Sequence, residues 1–292
     1  MKCKNILNIQ VALIMFFLSF SSFSYSQDTL NCDLIFIDHL VNNGDFEEAL
    51  YLLDSTDCSS YQLSDSANYY RGWSLYSLKR LQPSSEIFMK VSQGSDFYFK
   101  SHFFAAYNYS HLGNYNYAIE SLSTIATENE KLISLKNFGL AGVFLLQGNS
   151  GMFEELLAKT DRSLYEISES VDNLQHISLD LKAHKIKSPL IAGLLSGIIP
   201  GSGKLYAGRK GEAISAFLGT TGLGVVTSEN YKKRGLKSFG TIAFGTAFVF
   251  SYVANIYGAV VTVSILENEY RDNVKNTILF NLHIPLRNTF DK

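Results

Sequence analysis

The residues best suited to chemistry lie in one run, Pro200-Gly-Ser-Gly-Lys-Leu-Tyr-Ala-Gly-Arg209. A phosphate-binding loop needs G-x-x-x-x-G-K-[ST], so that backbone N–H groups wrap the phosphates and a hydroxyl reaches Mg²⁺. Counting back from Gly203-Lys204, Ile198 stands at the first glycine position and Leu205 at the hydroxyl position, and no strand pattern precedes them. Nucleotide binding is therefore not expected. The six histidines, at 39, 102, 111, 176, 184 and 283, form neither H-x-x-x-H nor H-E-x-x-H. No catalytic constellation, metal site or cofactor is expected, and the chain does not read as an enzyme.

Positioning even a binding residue requires folded elements, and the composition supplies them. The 292 residues are 46% hydrophobic and 18% charged, which excludes a disordered chain. The net charge of −2 conceals two opposite parts. Residues 28–181 carry −12, residues 182–292 carry +8, and Lys2 and Lys4 add the rest. An acidic soluble part argues against a nucleic-acid partner.

Lys2 and Lys4 precede an apolar run from Val11 to Leu18, and Ser24-Tyr25-Ser26 offers small residues at a cleavage site. A positive start, a short apolar stretch and a small-residue exit predict a signal peptide over 1–26, with an uncleaved anchor helix as the alternative. Cys3 lies before the apolar run, which argues against lipidation there. Export would leave Cys32 and Cys58 free to form a disulfide. Two small buried thiols are the alternative.

Four segments repeat: Gly44-Asp-Phe-Glu-Glu-Ala49, Lys79-Arg-Leu-Gln-Pro-Ser84, Gly113-Asn-Tyr-Asn-Tyr-Ala118 and Gly148-Asn-Ser-Gly-Met-Phe153, with starts 35, 34 and 35 residues apart. Small or apolar positions recur upstream at Ile37, Gly72, Ala106 and Ala141. Large ones recur downstream at Leu53, Phe88, Leu122 and Leu157. The first and third segments read as helix–turn–helix junctions, with Gly closing one helix and Ala admitting the next.

This pattern resembles the tetratricopeptide repeat family over about residues 30–160, within an expected repeat domain over 28–160. The resemblance implies an all-α solenoid of antiparallel helix pairs whose concave face meets a partner. Carried over by alignment, that face would present Tyr69, Trp73, Tyr76, Lys100, Phe103 and Tyr107. Aromatic rings with a cation suit a protein or peptide partner. The alternative is that some of these rings pack between repeats, Phe103 above all.

Leu164, Ile167, Val171, Leu174, Ile177 and Leu181 predict an amphipathic helix over 161–187, capping the last repeat or pairing as a coiled coil. Beyond Lys182, Lys185 and Lys187 come three uncharged runs, 188–203, 213–228 and 238–266. A helix needs about 20 residues to span hydrocarbon. The expectation is a membrane domain over 188–266, with a half-helix at 189–200 and spans near 211–228 and 239–266. A polar tail would follow over 267–292. Whether the first run also spans is left open, and with it the side of the C-terminus. Lys232, Lys233, Arg234 and Lys237 favour a cytoplasmic loop between the long runs. Gly193-x-x-x-Gly197 and Ala243-x-x-x-Ala247 suit close helix contact.

The run Ser196–Gly211 resembles the Pro-Gly-x-Gly-x-x-Tyr-x-Gly turn of small bacterial membrane domains, over about 190–265. The resemblance implies a membrane hairpin turned at Pro200, Gly201, Gly203, Lys204, Tyr206, Gly208, Arg209 and Gly211, with no chemistry attached. Together these readings predict a tetratricopeptide-like solenoid followed by a C-terminal membrane hairpin. The expected protein is a scaffold anchored in the bacterial envelope, its repeats periplasmic and its role in envelope assembly or protein export. The alternative is a membrane-embedded lipid or small-molecule site, with or without enzymatic activity, at the Gly-rich hairpin 200–211.

Overall fold

The computed structural model describes residues 33–55 and 61–290. The expected signal peptide, and the Cys32 and Cys58 of the expected disulfide, lie outside these residues. Among the described residues the chain is all-helical. It divides into two compact units between Ser101 and His102.

In the first unit, α1 (Leu34–Asn43) pairs with α2 (Phe46–Ser55), and α3 (Tyr61–Ser77) with α4 (Leu81–Phe88). Asp33 caps α1, its carboxylate accepting from the Phe36 amide at 3.1 Å. Gly44 closes α1 in the left-handed conformation at φ +89°, its N–H donating to the Val41 carbonyl and that of Asp45 to the Leu40 carbonyl. Lys79 fills the equivalent place between α3 and α4 at φ +63°. Gly72 admits the Phe88 ring, since a Cβ there would stand 2.6 Å from Phe88 Cδ1. Helix α5 (Tyr98–Leu112) begins in this unit and continues into the next.

The second unit holds α6 (Tyr115–Ser123), α7 (Glu130–Leu146), α8 (Ser150–Ala158), α9 (Tyr165–Ala183), α10 (Pro189–Ile198), α11 (Ser202–Tyr206), α12 (Lys210–Arg234) and α13 (Phe239–Phe290). Gly113 and Gly148 adopt positive φ at the turns before α6 and α8. The four turn positions aligned by the repeat thus share one backbone conformation. The upstream Ile37, Gly72, Ala106 and Ala141 are buried, as are the downstream Leu53, Phe88, Leu122 and Leu157. Helix α9 buries Ile167, Val171 and Leu174 and packs on α7 and α13, so its apolar seam is used within the chain.

One expectation differs from the structure. Residues 267–290 are not a separate tail, because α13 runs unbroken for 52 residues, about 78 Å at 1.5 Å per residue. The apolar positions Ile278, Leu282 and Leu286 repeat every four residues and are buried, so packing carries the helix onward, even past Pro285. The end of α13 packs on α7 and α9 and joins the later helix pairs to the hairpin.

Among the described residues one helix, α13, is long and apolar enough to cross a membrane, which fits a membrane anchor. Helix α12 has 25 residues but falls short in hydropathy, diluted by Gly, Ser and Thr from Gly219 to Ser228. The two helices pack as a hairpin, with Thr220 and Ser251 hydroxyls 3.1 Å apart.

Candidate functional site

The aromatic residues of the first unit form one continuous cluster. From α3, Tyr69 stacks on Phe97 with centroids 4.1 Å apart and planes at 7°. Tyr69 also lies 6.3 Å from Trp73, which stands 5.3 Å from Tyr76. These follow from helical spacing, since residues three and four apart share a face. Lys100 Nζ lies 4.1 Å from the Trp73 centroid and 5.6 Å from that of Tyr69, within cation–π reach. Tyr69 is buried, whereas Trp73, Tyr76 and Lys100 are half-buried. Behind the cluster, the Tyr70 hydroxyl donates to Asp38 at 3.0 Å, and burial first, then Asp38, pushes its pKa up.

Phe103 and Tyr107, in the second unit, face the end of α13. Phe103 is only 1% exposed and lies 5.6 Å from the Phe290 ring. Tyr107 stacks on His283 at 4.8 Å and 25°, and burial raises its pKa. A narrow apolar crevice between Phe103, Leu135, Phe138 and Gly139 is closed by Leu282 and Leu286. Asn281 adds a polar pin, accepting from Asn173 Nδ2 at 2.9 Å. Phe103 and Tyr107, two of the α5 residues read as partner-binding, thus pack here on the chain's own C-terminal turns. The signal was present in the four-residue spacing of Ile278, Leu282, Leu286 and Phe290.

The Gly-rich turn is held from inside. Pro200 precedes Gly201, whose φ of +87° reverses the chain between α10 and α11. Asn255 of α13, buried within an apolar run, accepts the Gly201 N–H at 3.0 Å. Ser196 Oγ accepts the Gly203 N–H at 3.0 Å. Gly203 lies against the Ala192 carbonyl, leaving no room for a Cβ. Two amides that a phosphate cradle would use are already engaged. Tyr206 accepts the Ser188 N–H at 3.1 Å, and Tyr252 donates to the Gly197 carbonyl at 2.7 Å. Lys204 lies 3.8 Å from Glu212 and Arg209 3.9 Å from the same carboxylate. Gly208 turns at φ +91°, and a Cβ on Gly211 would meet open space.

Sequence reasoning passed over Asn255, although an amide inside a 29-residue uncharged run is an anomaly that points inward. Of the small-residue stripes, Gly193 contacts α13, with a Cβ placed 2.7 Å from Val260 Cγ2. Ala243 and Ala247 are exposed. Among the described residues, no three of His, Cys, Asp and Glu gather as a metal ion would require. No protein-family model matches the chain, and no curated protein or solved structure matches it either.

Proposed function

We propose that the chain is a membrane-anchored, exported scaffold whose tetratricopeptide-like helix pairs recruit a protein or peptide partner. The observation that carries this reading is the continuity of α13. One helix contains the apolar stretch of an anchor and ends among the helices α5, α7 and α9. A partner held by the repeats would then be tethered to the bilayer. Its contact surface centres on Tyr69, Trp73, Tyr76 and Lys100, where stacked rings and a cation offer apolar area with an electrostatic handle. Phe103 and Tyr107 serve instead to seat α13. In this reading α12 forms the second limb of a membrane hairpin, its basic last turn and the link to Lys237 face the cytoplasm, and the repeats face the periplasm. Roles in envelope assembly or protein export fit such an arrangement.

The test is site-specific photo-crosslinking in native membranes. A photoreactive residue at Trp73 or Tyr76 should yield an adduct with another protein, and one at Phe103 only an internal crosslink to α13. Absence of any intermolecular adduct from 69, 73 and 76 would overturn recruitment at this face. Reporter fusions after Lys182 and Lys233 test the topology, and a cytoplasmic signal at Lys182 would reverse it.

A further inference from the structure

The apolar run of α13 ends at Leu266, and a cleft of about 360 Å³ opens there between the end of α9, the link 184–188 and α13. Lys187 and Arg271 line it with His184, and Glu267 is the single acid among its lining residues. That carboxylate is already matched: it lies 2.9 Å from His184 Nε2 and accepts the Lys187 N–H at 3.0 Å. The lining holds two side-chain cations against this one acid, and Asp180 also acts on Tyr270 from outside the lining. Tyr270 forms part of its wall, stacked on His184 at 3.7 Å and 12°. The Tyr270 hydroxyl is buried and makes no hydrogen bond. Burial, with the charges of Asp180 and Glu267, holds that hydroxyl above its ordinary pKa, so it remains a donor. A buried donor without an acceptor is costly, and an incoming oxygen would relieve it.

The other wall is apolar. Ile186 and Pro189 line the cleft, and α10 continues from them with Leu190, Leu194 and Ile198 exposed at four-residue spacing. A cationic pocket at the end of a membrane stretch, opening onto an apolar stripe, matches a molecule with a phosphate at one end and hydrocarbon at the other. We propose that this cleft seats the phosphate of an anionic phospholipid, with Lys187 and Arg271 as counter-charges, the Tyr270 hydroxyl donating to a phosphate oxygen, and an acyl chain along Leu190, Leu194 and Ile198. The inference rests on the membrane-anchor reading of α13 but not on partner recruitment. It also places the lipid away from the 200–211 turn.

The experiment is native mass spectrometry of the full-length chain, released from detergent after incubation with phosphatidylglycerol or phosphatidylcholine of equal chain length. The chain should retain phosphatidylglycerol in preference. Arg271→Gln and Lys187→Gln should each lower that retention about fivefold, the worth of one cation beside an anionic lipid. Lys187 also donates to the Ala207 carbonyl, so Arg271→Gln and Tyr270→Phe, which keeps the stacked ring, are the decisive variants. Lys232→Gln, in the last turn of α12, should leave retention unchanged. Equal retention of the two lipids, or wild-type retention by both Arg271→Gln and Tyr270→Phe, would overturn the proposal. So would a thermal shift with inorganic phosphate in a chain that retains no lipid. An alkaline wash of membranes tests the anchor separately: release of the chain would refute the anchor, while retention with no lipid preference would refute this site alone.

Discussion

Gly142 of α7 and Leu282 of α13 are in direct contact, and a Cβ on Gly142 would stand 2.9 Å from Leu282 Cδ1 and Cγ. This pair joins the end of the long helix to the helix pairs of the second unit. Gly142→Ala should destabilise the chain by about 1–3 kcal/mol through overpacking, and Leu282→Ala by about 2–5 kcal/mol through the cavity it leaves. The double variant should be less destabilised than the sum, because the shortened side chain makes room for the new methyl. Thermal unfolding in detergent measures all three, and strict additivity would show that the two residues are not coupled.

Asn255 holds the Gly-rich turn by accepting the Gly201 N–H. Asn255→Leu leaves a buried donor unpaired and should cost about 1–3 kcal/mol. Trypsin cleavage after Lys204, Arg209 or Lys210 should quicken in the same variant. Unchanged cleavage together with an unchanged unfolding midpoint would remove Asn255 from this role.

Glu267 is held below the usual carboxylate range by its hydrogen bond with His184 and then by the Lys187 N–H, against a smaller opposing effect of burial. A folded value beneath the unfolded one contributes stability that is complete above the unfolded pKa. That contribution is lost as pH falls through the lowered folded value. Glu267→Gln should therefore lose stability at neutral pH and flatten the decline toward acid. Identical acid limbs for variant and wild type, followed by unfolding midpoint against pH, would count against the contact.

Lys79 is the one non-glycine residue with positive φ among the described residues, at a turn where Gly44, Gly113 and Gly148 serve the other helix pairs. Lys79→Gly removes a strained Cβ at the cost of a freer unfolded chain and should stabilise by roughly 0.5–1 kcal/mol net. A lower unfolding midpoint would mean that the Lys79 ammonium, 5.8 Å from the Tyr76 ring centroid, contributes more than the strain it carries.

Much of the architecture was legible in the chain because it is written in local chemistry. Gly44 and Gly113, read as turns between helices, both take left-handed backbone, which selects glycine where the chain must reverse. The apolar run 238–266 announced a helix fit for a membrane, and Tyr69, Trp73 and Tyr76 had to share a face by helical period alone. Periodicity states which face of a helix is apolar, not which helix covers it. Only the tertiary structure decided that Phe103 and Tyr107 lie beneath His283 and Phe290, and that Asn255 reaches the Gly201 amide from 54 positions away. It also set Tyr270 on His184 beside Arg271 at the end of the apolar stretch. Those contacts join residues far apart in the chain, where burial and unpaired hydrogen-bonding groups, rather than spacing, select the partner.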